Sequence, residues 1–309
     1  MPTETVNGLT PPLPGFPFFA NADRFPFEPT ASECPSVNAW WLADASFLVY
    51  GDGDFIEDAL RETPLPDLGY EIEWLGERDD NRGMALINEE SMIVIFRGTR
   101  LEQHKLLGES EAILMNQNDF KTNSRFLPTA LDAGGKVHRG FLSAFAEVSD
   151  DLDEIVSTKT PDQSLWLTGH SLGGALAVIA AAHIELFHVQ GICTFGCPRV
   201  GNEAFANALP NEQHARYTFR DDWVPSLPPE ITGYRHGGDQ RDVPGCEPRK
   251  FLDDFSRGSK TVWAVAKSVA KELKVDLGEL PMKIGGLADH APIYYASLLW
   301  NDFLKQQSQ

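Results

Sequence analysis

Residues 164–187 read as an apolar run, Ser164–Thr168, then Gly169-His170-Ser171-Leu172-Gly173-Gly174, then a helical pattern that continues to Phe187. A strand that breaks at Gly-x-Ser-x-Gly and resumes at once as a helix must turn very tightly. Small residues at 169 and 173 let the chain close without clashes and lift the serine hydroxyl clear of the sheet. The helix N-terminus behind the serine aims unpaired N–H groups at any negative charge developing there. The pentapeptide alone is weak, because two glycines and a serine recur by chance. Its flanks distinguish it from an ordinary glycine-rich strand-to-helix turn, and they make Ser171 a candidate nucleophile.

The rest of the chain fits a sheet built around that turn. Ser91–Phe96 ends at Arg97-Gly98, Gly191–Phe195 ends at Gly196, and Ala215–Phe219 ends at Arg220-Asp221-Asp222. Short apolar runs bounded by turns, with helical stretches between them, predict a mostly parallel, largely buried sheet flanked by helices. In such a sheet functional loops gather at the carboxyl ends of the strands. Further helices are predicted from Asn38 to a stop at Gly51, and over Ile293–Phe303. Residues 1–36 form a Pro-rich N-terminal arm, which Phe16, Phe18, Phe19, Phe25 and Phe27 could hold against the body. Residues 37–309 then form a single domain, long enough to bury a full core.

A serine hydroxyl needs a base, normally a histidine oriented by a carboxylate. In α/β-type hydrolases the order along the chain is serine, acid, histidine. That order sets aside His104, His138 and His170, which precede Ser171, and His183 and His188, which lie on or just after the next helix. His214 precedes the candidate acids after Ala215–Phe219. His236 and His290 remain. His290 is preferred, because its loop Gly286–Pro292 is anchored by the closing helix, whereas His236 lies only 14 residues beyond the acid. Spacing leaves the acid open between Asp221 and Asp222.

Several segments resemble the fungal-type (class 3) lipases of the α/β-hydrolase superfamily. They are Phe96-Arg97-Gly98-Thr99, Val137–Phe141, Gly169–Gly174, Thr194–Asn202, and Asp222-Trp223-Val224-Pro225 with Leu227-Pro228-Pro229. Five motifs in the family's order are far more specific than one pentapeptide. The resemblance implies an α/β-hydrolase fold with a lid or cap segment, and a triad of Ser171, Asp222 and His290. It also implies an oxyanion hole formed by the N–H groups of Thr99 and Leu172. Two departures stand out. Arg100–Gly108 lacks the Asp-Trp pair that members often carry, and Cys197 occupies a position that is often glutamine. The substrate implied is an acyl ester of glycerol, met at a lipid–water interface. Short-chain carboxylesterase or phospholipase A1 activity, transacylation, and a non-catalytic binding role are the alternatives. No cofactor or metal is required by this chemistry.

Charge and composition narrow the partners. With 26 basic against 45 acidic residues the chain carries −19, which argues against nucleic acid, whose phosphates need a basic face. The longest apolar run, Ala175–Ala182, is far short of the roughly 20 residues that cross a bilayer. The first residues show no basic stretch followed by an apolar one, so the sequence predicts a cytoplasmic location. Cys34, Cys193, Cys197 and Cys246 are too few for a disulfide framework and read as structural thiols. Two segments could meet lipid: Leu101–Met115 as a lid, and Thr261–Lys274, where Lys260, Lys267, Lys271 and Lys274 border an apolar face. Each has a plain alternative, a partly buried loop for the first and a helix packed on the body for the second.

Overall fold

A computed structural model describes residues 14–99, 127–128, 135–184, 189–209, 214–243 and 289–308. Seven strands lie side by side in chain order: β1 (Glu71–Leu75), β2 (Gly83–Ile87), β3 (Ser91–Phe96), β4 (Ser164–His170), β5 (Val189–Phe195), β6 (His214–Thr218) and β7 (Asp239–Asp242). β1, β2 and β3 pair antiparallel, and every pair from β3 to β7 is parallel. A second, antiparallel sheet of short strands joins Leu127–Pro128, Lys136–Val137, Gly201–Asn202 and Tyr234–Arg235. β3 occupies the six residues read as its apolar run, and β4, β5 and β6 overlap theirs. Sequence reading passed over β1, β2 and β7.

Every residue of β3 and β4 is buried, as expected of strands covered on both faces. Side chains alternate across the sheet. Ile93 and Ile95 face one core with Trp166 and Phe195, roofed by helix α1 (Ser36–Leu48) and the closing helix α7 (Pro292–Gln307). The smaller α2 (Gly53–Arg61) adds Ile56 and Leu60. Met92, Val94 and Phe96 face the other core with α3 (Arg139–Phe145), α4 (Ser149–Ser157), α5 (Leu172–His183) and α6 (Glu203–Ala208). This is the α/β-hydrolase fold.

α1 is buried on all sides, being enclosed by the sheet, α7 and the preceding segment. Phe18, Phe19 and Phe27 of that segment sit in its core. Its main chain is tied down by side chains from the body. Trp166 Nε1 donates to the Pro29 carbonyl at 2.8 Å, and Trp41 Nε1 donates to that of Phe25 at 2.9 Å. Asn38 donates to the Glu28 carbonyl and accepts its N–H, both at 2.8 Å. The buried Asp44 carboxyl group accepts the Phe19 N–H at 2.9 Å. No helix among the described residues is long and apolar enough to cross a membrane. The expected lid, Leu101–Met115, and the amphipathic stretch Thr261–Lys274 lie outside the described residues, as does Cys246.

Candidate active site

The turn after β4 holds Ser171 at φ 59° and ψ −125°, a left-handed conformation that side chains other than glycine rarely adopt. Its neighbours explain how it persists. A Cβ at Gly169 would lie 2.3 Å from the Gly173 carbonyl carbon, and one at Gly173 would lie 2.1 Å from the Phe96 oxygen. Any side chain at either position would push β3, β4 and α5 apart. The Ser171 N–H donates to Phe195 O at 2.9 Å, pinning the turn to β5. Leu172 is the first residue of α5, so its N–H has no acceptor within the helix.

Ser171 Oγ donates to His290 Nε2 at 2.8 Å, and His290 Nδ1 donates to Asp222 Oδ2 at 2.8 Å. Three loops far apart in sequence bring these groups together: the turn after β4, the turn after β6, and the residues leading into α7. Asp222 Oδ2 also accepts the Tyr295 hydroxyl at 2.7 Å, while Oδ1 accepts the Val224 N–H at 3.0 Å. Fixing both carboxylate oxygens fixes the plane in which the imidazole must lie. Of the neighbouring pair, Asp222 faces His290, whereas Asp221 is exposed and donates its N–H to Asp289 at 3.2 Å.

After β3, Gly98 passes so close to the site that a Cβ there would lie 2.0 Å from Tyr50 Oη and 2.7 Å from the His170 carbonyl. Thr99 follows. Its Oγ1 is buried and has no hydrogen-bond partner among the described residues. A buried hydroxyl in that condition is suited to a group that arrives with the substrate.

The other histidines have separate places. His236 Nε2 bonds the Pro225 carbonyl at 2.7 Å, and burial pushes its pKa down to about 3. His138 packs on the Phe141 ring with centroids 4.4 Å apart, at the start of α3. His170 was set aside by chain order, yet its ring lies 4.5 Å from that of His290 and its Nε2 bonds the His290 carbonyl at 2.7 Å. Tyr50 Oη bonds the other nitrogen, Nδ1, at 2.8 Å. Tyr50, His170 and Tyr295 are site neighbours that sequence reasoning missed. Only the position of His170 inside the elbow offered a signal. Cys34, Cys193 and Cys197 are buried free thiols, and burial raises the Cys197 pKa to about 12.

Residues 93–232, which carry Thr99, Ser171 and Asp222, match the family described as Lipase (class 3). Among the chain's relatives, a secreted mono- and diacylglycerol lipase of Fusarium solani is 42% identical over 130 residues, 40% of this chain and 39% of its own length. A lipase of Rhizopus niveus is 31% identical over 174 residues, 52% of this chain and 41% of its own. The chain thus spans about two-fifths of these two relatives. The secreted mono- and diacylglycerol lipase LIP4 of Malassezia restricta is 28% identical over 234 residues, 69% of this chain and 72% of its own. A crystal structure of a mutant form of MDLA from Penicillium cyclopium shares the fold, with a TM-score of 0.50 at 22% identity over 68% of this chain and 80% of its own. The Fusarium and Malassezia lipases are both named as secreted, and this overturns the cytoplasmic location expected from the first residues. The physical reason is that a folded lipase body carries no mark of its compartment.

Proposed function

We propose that this chain is a class 3 lipase, a serine hydrolase of acylglycerol esters. The observation that carries the reading is the continuous relay from Ser171 Oγ through His290 to Asp222, each link 2.8 Å long. The names of the Fusarium and Malassezia relatives support mono- and diacylglycerols as the substrate class. In this reading the Pro-rich arm, residues 1–36, and the domain, residues 37–309, work as one unit, since Phe19 and Phe27 share a core with α1.

The reaction runs in two halves. His290 Nε2 takes the proton of Ser171 as Oγ attacks the ester carbonyl carbon, and Asp222 steadies the imidazolium. The carbonyl oxygen, now negative, is received by the N–H groups of Thr99 and Leu172, with the Thr99 hydroxyl in reach as a further donor. Preorganised donors of this kind are each worth about 3–4 kcal/mol. His290 then returns the proton to the departing glycerol oxygen, leaving an acyl-serine. Water, deprotonated by His290, attacks that ester, and the fatty acid leaves as the proton returns to Ser171.

The test is initial rates on monoolein, diolein and triolein emulsions and on p-nitrophenyl esters from C2 to C16, with Ser171→Ala beside the wild type. Long-chain glyceride turnover that vanishes in the variant is the expected result. Turnover confined to short soluble esters would move the chain to the carboxylesterases. Activity that survives Ser171→Ala would remove the nucleophile assignment.

A further inference from the structure

The base of the relay stands just before α7, and among the described residues its ring is hydrogen-bonded by Asp222 and Ser171. Its main chain is held from the opposite side. A carbonyl can only accept, so the 2.7 Å contact with His290 O fixes the proton of His170 on Nε2. Nδ1 is then an acceptor, and the Tyr50 hydroxyl must donate to it across 2.8 Å. The imidazole is thus in one tautomer, spanning two fixed points: the end of α1 and the peptide of the catalytic base. Burial keeps this ring neutral and the Tyr50 hydroxyl protonated, so neither end of the chain changes its role near neutral pH.

The same two residues touch the other half of the site. Gly98 lies against both Tyr50 Oη and the His170 carbonyl, and Thr99 follows it directly. His170 also neighbours Ser171 in sequence. One buried pair therefore contacts the segment carrying the oxyanion donors, adjoins the nucleophile and anchors the base.

From this juxtaposition we infer that His170 and Tyr50 are positioning residues: the Tyr50 O–H···His170 N–H···O=C His290 chain sets the distance between His290 Nε2 and Ser171 Oγ. The inference rests on the functional reading above. His170 exchanges no proton with substrate. It acts through the main chain of His290, holding the peptide so that the ring swings neither away from Ser171 nor into the acyl path. Misplacement of a reacting group by about 1 Å costs on the order of 100-fold in rate.

The experiment compares wild type, Ser171→Ala, His170→Leu, His170→Gln and Tyr50→Phe on p-nitrophenyl butyrate. Rates are expressed per site labelled at completion by a fluorophosphonate, so that misfolded molecules are not counted, except for Ser171→Ala, which has no serine to label and is expressed per molecule of protein. His170→Leu should lower kcat about 100-fold with KM within about threefold of wild type. His170→Gln keeps an N–H donor at similar reach and should recover about 10-fold of that loss. Tyr50→Phe removes one hydroxyl and should lower kcat about 10-fold, so it carries the test should His170→Leu fail to fold. An active wild type with Leu and Phe variants that match it per labelled site would overturn the positioning role alone. So would a Gln variant no better than Leu. A wild type without turnover, or an undiminished Ser171→Ala, would overturn the reading of the site and this inference with it.

Discussion

Asp222 accepts three hydrogen bonds, and one of them comes from a side chain that can be trimmed without opening a large space. Tyr295 Oη approaches Oδ2 at 2.7 Å on the same oxygen that receives His290 Nδ1. Tyr295→Phe leaves the ring in its packing among Phe195, Phe219 and His170 and deletes only the donor. A hydrogen bond to a charged group is worth about 1.5–3 kcal/mol. The expected outcome is a kcat lowered about 10-fold with an unchanged KM, read on a soluble p-nitrophenyl ester. Gly98 offers a steric counterpart. The Cβ of Gly98→Ala would need the space of Tyr50 Oη and the His170 carbonyl, neither of which is a flexible tip. Activity should fall about 100-fold or more, again per labelled site, because the oxyanion turn must retreat from the serine.

Among the elements, α1 carries the least usual burden. Asp44 lies inside it, fully buried, and burial lifts its pKa to about 8 despite the Phe19 N–H and the Trp40 side chain that favour its charge. An ordinary carboxyl in the unfolded chain releases its proton near pH 4. Between about 4 and 8 the folded state therefore holds a proton that the unfolded state has shed. Stability from this group is fully present below about pH 4 and is lost as pH rises toward 8, with a slope of at most roughly 1.4 kcal/mol per unit. Asp44→Asn should flatten that part of the profile, measured as denaturation midpoints at pH 5 and pH 8. A variant whose pH dependence matched the wild type's would show that Asp44 stays charged.

The elements also differ in how plainly they were written. β3 was read to the residue because both its faces are buried, leaving Ser91–Phe96 a nearly unbroken apolar run. The edge strand β7, Asp-Gln-Arg-Asp, is largely exposed and shows no pattern that burial would impose. β1 does alternate as an edge strand should, Glu71 and Glu73 outward against Ile72 and Trp74, but over only five residues the signal is short. α5 was extended to Phe187 on helical spacing and stops at His183. Ser171, Asp222 and His290, which the structure brings together, were legible because chain order singles out His290 and the motifs of the resemblance single out Ser171 and Asp222. Tyr50, His170 and Tyr295 were not, because each matters through a partner at least 73 positions away, a pairing that no local pattern encodes.

At the scale of the whole molecule, the segment before α1 behaves as part of the core. Phe18, Phe19 and Phe27 are all buried, and truncating one such phenylalanine typically costs about 3–5 kcal/mol. Three together rival the entire net stability of an ordinary domain, about 5–15 kcal/mol. A chain that begins at Ser36 should therefore show no cooperative thermal transition by circular dichroism, whereas the full chain should melt sharply. A sharp transition in the shorter chain would mean that α1 and α7 suffice.

The wrapping of α1 also dictates when this protein can fold. Phe25 meets Phe303 with ring centroids 4.9 Å apart, and Trp40 meets Trp300 at 4.5 Å, so α1 and the segment before it find their partners far along the chain. During synthesis α1 emerges as one of the most apolar helices of the chain, while the helix that roofs it has not yet been built. Native burial of α1 must wait until α7 has been made and has left the ribosome, and until then the nascent chain is a client for whatever binds exposed apolar surface.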